Sequence, residues 1–393
     1  MTLRSKVALG LLVFVPLSIA ADRLALGEGT VFLASVLAIL PLAVWLSTAT
    51  EELALALGPS IGALLNAVFG NATELIIALT ALRAGLVEIV KASITGTVVA
   101  NLLLALGLSM LVGGIGRQEQ RFQPVVARVN GTAMSLAVLA ILIPSLTGMG
   151  DGGHGLGTQR FSTFVAWILL VVYGLTLLFS LRTHSGLYDV AEADLALASA
   201  PGEAQASEAS SGETPAAAGP HRPDGPAGSS PAHKPPLLPW LAVLVAATAG
   251  VAYESELFVG VVEEVTAKAG LSALFTGVVL LPLLGGVAEY LTAVTMARKN
   301  KMDLSVSVAL GSTLLVALLV VPILVLVGPL LGHPLDLNFQ IYELVAIATA
   351  VVVSNLVSLD GRSDWLEGVL LLAAYVILAA GFYFQSQPLA SPT

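Results

Sequence analysis

Gly70-Asn71-Ala72-Thr73-Glu74 recurs 215 residues later as Gly285-Gly286-Val287-Ala288-Glu289, each time inside an apolar segment. From these motifs the likeness runs on without a gap, residues 70–116 against 285–331. Gly70/Gly285, Glu74/Glu289, Arg83/Arg298, Gly96/Gly311 and Gly113/Gly328 are identical, while Glu88/Asp303 and Thr97/Ser312 keep their chemistry. Shared Leu and Val carry little information in a hydrophobic chain. Matched Glu, Arg and Gly at one spacing mark an internal repeat. An ionisable side chain at bilayer depth is costly and is a functional-site candidate by default. Two of them related by a repeat imply a pathway at the repeat interface.

The composition agrees. Hydrophobic residues make up 56% of the chain, charged residues 11%, and mean hydropathy is +0.91. A soluble domain carries about 25% charged residues, so the chain reads as a polytopic membrane protein. The absence of Cys excludes a disulfide framework and a thiolate metal site. Residues 9–20, preceded by Arg4 and Lys6 and ending at Ala20-Ala21, resemble a secretory signal. The next apolar span follows at once, so the segment is read as a retained first helix. Runs able to cross about 30 Å of hydrocarbon fall near 5–21, 30–48, 62–82, 92–115, 125–146, 161–181, 237–259, 273–297, 304–330, 339–358 and 365–384. Pro41, Pro282 and Pro322 lie within spans, where bundled neighbours satisfy the backbone groups they free.

With the N-terminus inside, the cytoplasmic segments hold Arg4, Lys6, Arg117, Arg121, Arg128, Arg182, Arg222, Lys234, Arg298, Lys299, Lys301 and Arg362. The opposite face holds Arg23, Arg83, Lys91, Arg160 and Lys268. The excess of basic residues therefore puts the N-terminus in the cytoplasm and the C-terminus outside. Setting the first helix apart leaves two sets of five, and an odd number forces the second set through the membrane upside down. The expected fold is an all-α polytopic membrane protein of 11 transmembrane helices, one extra N-terminal helix plus two inverted five-helix repeats. Its parts are an N-terminal helix (1–29), a first repeat (30–184), a linker (185–236) and a second repeat (237–393). The linker is rich in Ala, Pro, Ser and Gly and carries seven acids against Arg222 and Lys234. It cannot bury enough apolar area to fold alone, so it is read as a solvated, disordered cytosolic strip in which 188–197 has the pattern of one short acidic helix. A regulatory, calcium-sensing role is the alternative for it.

Within one helix, Asn71 and Glu74 would share a face, with the backbone of Gly70 one turn earlier. Ser93, Thr97 and Asn101 recur every four residues as a polar stripe. Small residues beside the acid let helices approach and leave room for an ion. Carboxylate, amide oxygen, hydroxyl and backbone carbonyl are hard donors that suit Ca²⁺, which takes 6–8 oxygens at about 2.3–2.6 Å, or less distinctively Mn²⁺ and Na⁺. Asn71, Glu74 and Glu289 are the expected metal ligands, with Gly70, Gly285, Thr97, Asn101 and Ser312 as pathway or backbone ligands. Burial disfavours the charged form of a carboxylate, so the empty site takes up protons and the cation-loaded site releases them. Such competition at a site exposed alternately to each face is antiport. Arg83 and Arg298 lie about 13 Å along the helix from the acids at 1.5 Å per residue, too far to neutralise them. Two further pairs, Glu51-Glu52 and Glu263-Glu264, precede the motifs at similar distances and are placed by the inversion on opposite faces, as vestibules or gates require.

Residues 70–116, with Lys91-Ala92-Ser93-Ile94-Thr95-Gly96 and Asn101-Leu102-Leu103-Leu104-Ala105-Leu106-Gly107, resemble the first signature repeat of CAX-type cation/proton exchangers of the calcium/cation antiporter superfamily. Lys299-Asn300-Lys301-Met302-Asp303, residues 360–367 and the acidic central segment are similar to the same family. The resemblance implies an eleven-helix fold in a bacterial plasma (inner) membrane, exchange of cytosolic Ca²⁺ for protons, and the two repeat glutamates as the ion site. It implies no cofactor beyond the transported Ca²⁺ and H⁺ and no nucleic-acid partner, and leaves a homo-oligomer open. The second repeat departs from the family's Gly-Asn-Ala-Ala-Glu-His: here Gly286 and Tyr290 replace the amide and the imidazole, Leu315 stands where a Gln is expected, and Val316 opposes Asn101. Altered selectivity (Mn²⁺ or Na⁺) or a non-transporting, degenerate regulatory homologue are the readings this leaves. An intramembrane aspartyl protease fits poorly, because Gly148-Met149-Gly150-Asp151 and Tyr188-Asp189 fall in loops. His154, beside Asp151, is read as a loop residue.

Overall fold

The computed structural model describes residues 3–150, 156–183 and 235–385. Asp151, His154 and linker residues 185–234, with the short helix expected at 188–197, lie outside the described residues. Helices occupy every segment read as apolar: α1 (Leu3–Leu11), α2 (Phe14–Arg23), α3 (Glu28–Leu57), α4 (Pro59–Phe69), α5 (Ala72–Arg83), α6 (Val87–Gly114), α7 (Pro124–Gly150), α8 (Leu156–Leu178), α9 (Leu237–Lys268), α10 (Ala273–Gly285), α11 (Val287–Arg298), α12 (Met302–Leu331), α13 (Ile341–Val357) and α14 (Trp365–Gln385). Seven are by themselves long and apolar enough to cross a membrane, and α10 with α11, bent by 60°, make an eighth. Several expected spans are thus not single rods. Residues 5–21 break between α1 and α2, and residues 62–82 break between α4 and α5.

The repeat is legible in the backbone. Helix α5 and helix α11 begin and end at positions 215 apart, and α6 and α12 start with the same offset. Both long helices widen into a π turn at the matching place, Ala100–Ala105 and Val316–Val320. Such turns commonly sit at functional sites. A third, Thr276–Leu280, lies two residues before Pro282, just as Val316–Val320 lies two residues before Pro322. A proline lacks an N–H and crowds the turn before it, and the wider turn takes up that misfit.

Helix α6 is the axis of the molecule: 83% of its most apolar stretch is buried, against 22% for α8, α9 and α14. The long helices α3 and α9 pack side by side, with Leu42, Leu46 and Ala49 against Leu244, Ala247 and Val251. Helix α2 joins them through Ser18 Oγ, which donates to Glu254 Oε1 at 2.7 Å.

The two ends of the bundle differ in how they are tied. At one, β1 (Gln120–Arg121) pairs antiparallel with β2 (Arg362–Ser363), and Glu119 takes both Arg121 (2.7 Å) and Arg362 (3.3 Å). Those two arginines hold the Glu119 carboxyl below its ordinary range, the Arg121 hydrogen bond foremost. Gln120 Nε2 reaches Ala297 O and Asn300 Oδ1. At the other end Lys91 Nζ, nearly buried, binds Asp336 Oδ1 at 2.5 Å and Asn338 O at 3.0 Å, while Lys268 meets Glu28 at 2.8 Å. The loop carrying Asp336 is pinned further by Ser145 and Ser162.

Candidate ion site

Each signature motif breaks its helix. Asn71 (φ −122°, ψ 34°) precedes α5, and Gly286 (φ −81°, ψ 8°) precedes α11. Asn71 therefore stands outside the helix that carries Glu74, which corrects the expectation that both share one helical face. The acids fall in the first turn after each break, beside the free N–H groups and positive end of a half-helix.

The breaks face each other across the interface between the halves. A Cβ placed on Gly285 would lie 2.8 Å from Glu74 Cγ and 3.5 Å from Glu74 Oε1, and one on Gly70 would lie 3.4 Å from Leu315 Cδ1. Both carboxylate oxygens of Glu74 are buried and take no hydrogen bond from another residue; Glu289 Oε2 is buried as well. A buried acceptor without a donor is costly, and a cation or a proton is the natural remedy.

The neutral donors cluster on one atom. Asn71 Nδ2 donates to Ser312 Oγ at 2.8 Å, and Asn101 Nδ2 donates to the same oxygen at 3.0 Å. A hydroxyl oxygen has two lone pairs, so Ser312 has none left for an ion. It instead holds two amides from the other half and turns their carbonyl oxygens away from itself. Thr97 Oγ1 donates to Ser93 O, and Ser93 Oγ to Val90 O. The stripe on α6 thus points its protons along its own helix. Glu51, half-buried, accepts from Ser47 Oγ at 3.2 Å near the C-terminal end of α3 beside half-buried Glu52. Glu263 and Glu264 are exposed near the C-terminal end of α9, with Glu264 paired to Lys268 at 2.7 Å.

Around this centre the two halves close unequally. A Cβ on Gly96 of α6 would collide with Val278 O and lie 2.6 Å from Pro282 Cγ, while one on Gly277 would lie 2.7 Å from Ile89 O. Helix α10 is therefore seated hard against α6. Among the described residues, a Cβ on Gly311, the repeat partner of Gly96, meets nothing within 4 Å. The matching seam, where α4 would seat against α12, is open.

One buried acid escapes the sequence reading. Glu254 is fully buried with Oε1 on Ser18; the signal was an acid inside an apolar span. Tyr290 packs over the second break, which only the coordinates reveal.

Residues 29–182 and 239–384 match the family model "sodium/calcium exchanger protein". The chain is 48% identical over 385 residues to a Ca²⁺/H⁺ antiporter of Aphanothece halophytica (97% of each chain) and 49% identical to one of Synechocystis (98% of this chain, 99% of the other). Among solved structures, native YfkE superposes with a TM-score of 0.77 at 34% identity, covering 96% of this chain and 99% of that one. The H⁺/Ca²⁺ exchanger CAX shares the fold, with a TM-score of 0.64 at 15% identity over 98% of this chain and 93% of that one. Matched on both halves by one family model and along nearly its whole length by these relatives, the chain belongs to the sodium/calcium exchanger protein family.

Proposed function

We propose that the chain is a secondary active antiporter, not an enzyme, that exports cytosolic Ca²⁺ in exchange for protons by alternating access around Glu74 and Glu289. The carrying observation is Glu74: a buried carboxylate with no donor from another residue, set against Gly285 where two half-helices meet. The names of the 48% and 49% identical relatives support the same ions. Asn71 and Asn101 add amide oxygens, and Ser312 orients them. Protons compete for the acids when the cation leaves, because burial disfavours the unpaired negative charge.

In this reading the bundle has eleven spans, with α1–α2, α4–α5 and α10–α11 each counted as one. The two sets of five after the first span are inverted repeats in a bacterial inner membrane, with the N-terminus in the cytoplasm. That orientation puts α4 on the cytoplasmic side and α10 outside. The open seam at Gly311 then faces the cytoplasm and the closed seam at Gly96 faces out, a conformation poised to take Ca²⁺ from inside.

The test is flux in everted vesicles with an acid lumen. Adding Ca²⁺ should collapse the pH gradient, and absence of a response to Ca²⁺, Mn²⁺ and Na⁺ at every pH would refute the transport reading. The same panel settles whether the sparse donors of the second half, Gly286, Leu315 and Val316, favour another cation.

A further inference from the structure

The two helix breaks coincide in position and differ in what fills them. At the first, position 71 carries an amide that reaches into the other half. At the second, position 286 carries no side chain, and the reason lies one turn further along α11. Tyr290, 8% exposed, folds its ring back over the break. A Cβ on Gly286 would lie 2.5 Å from both Cζ and Oη of that phenol. Tyr290 Oη donates to Pro282 O at 2.9 Å, and Gly286 N donates to the same carbonyl at 3.0 Å. A carbonyl has two lone pairs, so the Pro282 oxygen is fully spent. The bond from Gly286 N is the last helical bond of α10, and the phenol takes the one lone pair of Pro282 O that an ion could otherwise use.

We propose that Tyr290 is a specificity-determining residue of the ion site: its phenol occupies the space in which the first half carries an amide, and it ties up the Pro282 carbonyl. The second half then offers the ion Glu289 without those two oxygens. A cation that takes 6–8 oxygens fills its shell with water on that side, so the site suits an ion carried partly hydrated. Glycine at 286 and tyrosine at 290 are one coupled feature rather than two separate losses. The inference rests on Glu74 and Glu289 being the ion site.

The experiment compares Gly286→Asn, Tyr290→His and the double variant in everted vesicles, reading KM and Vmax for Ca²⁺ and for Mn²⁺. Gly286→Asn alone should cut exchange sharply, because the amide and the phenol claim one space. Tyr290→His alone releases the Pro282 oxygen from the phenol and should lower the Ca²⁺ KM by about twofold, less than the double variant does, with water taking the rest of the vacated space. The double variant should recover exchange and lower the Ca²⁺ KM about fivefold below wild type, the worth of one added polar contact, with a changed Ca²⁺/Mn²⁺ ratio. Tyr290→Phe keeps the ring, so Gly286→Asn should stay harmful beside it. If Gly286→Asn fails to insert in the membrane, its rescue by Tyr290→His supports the coupling, and failure of the double as well overturns it. Independent effects of the two substitutions, or Gly286→Asn alone matching the double, also overturn it. Glu74→Gln serves as the control. Its loss of exchange beside independent effects at 286 and 290 refutes this inference alone, while full exchange in Glu74→Gln refutes the site reading and the inference together.

Discussion

The first break is held open by an asparagine that reaches across to Ser312; the second is covered by a tyrosine ring that turns back on its own chain. The limits of α5 and α11 and the position of the acid are nonetheless shared at one offset, and the π turns of the following helices overlap at it. The backbone break therefore does the part that must be done twice: it ends a helix inside the membrane and delivers a carboxylate to its first turn. The neutral donors do not have to be doubled. Asn71 and Asn101 both lie in the first half, and the second half contributes the Ser312 hydroxyl to which they donate. The seams repeat the contrast, α10 being closed on Gly96 while Gly311 stands clear. Two similar halves thus meet asymmetrically around Glu74 and Glu289, and the proposed site can be tested through that asymmetry.

The largest effect should come from the acids. Glu74→Gln and Glu289→Gln keep the volume but remove the charge and the titratable proton, and each should reduce Ca²⁺-dependent proton flux to background with normal membrane insertion. Unequal loss, with Glu289→Gln retaining measurable flux, would show that the second half is the lesser ligand and sharpen the contrast. Near-normal flux in both would break it.

The seams come next. Gly96→Ala forces a methyl into the Val278–Pro282 backbone and should cost about 1–3 kcal/mol, as overpacking does, read as a lower melting temperature in detergent. Gly311→Ala should leave stability within about 0.5 kcal/mol, like a substitution away from any packed feature. If α4 must seat there in the opposite state, a clash of about 1.4 kcal/mol would cut exchange roughly tenfold. Equal melting temperatures for the two variants would remove the claim that one seam is closed and the other open.

Ser312→Ala leaves the Nδ2 groups of Asn71 and Asn101 without their shared acceptor. A buried unsatisfied group costs about 1–3 kcal/mol, so the Ca²⁺ KM should rise several-fold with Vmax less affected. An unchanged KM would mean that the amides do not serve the ion. The smallest effect is expected from deleting residues 203–228 between the halves. Basal exchange should match wild type, and its loss in a properly inserted protein would show that the halves depend on the linker. A shift confined to the Ca²⁺ dependence would favour a regulatory strip.

Much of this was readable from local chemistry. Apolar run lengths and sparse charge establish membrane spans because hydrocarbon solvates neither charges nor open backbone. Glu74 and Glu289, matched with Arg and Gly at one spacing, identify the repeat and its acids without any fold, and the family likeness follows from the same residues. The limits of the helices around them follow less well: residues 62–82 read as one rod because hydropathy is blind to a break at Asn71, which depends on two backbone angles.

What each side chain does was decided in three dimensions. Ser312 reads as a ligand by its spacing, yet two amides from 211 and 241 residues away saturate its oxygen. Gly286 reads as a lost donor, yet a ring one turn along fills its place. Gly96 and Gly311 are identical letters in the repeat, and only the seating of α10 separates a closed seam from an open one. Composition and periodicity act through solvent and are carried by the chain alone. Saturation of a lone pair, occupation of a volume and closure of a seam depend on partners distant in sequence, and exist only once the halves have packed.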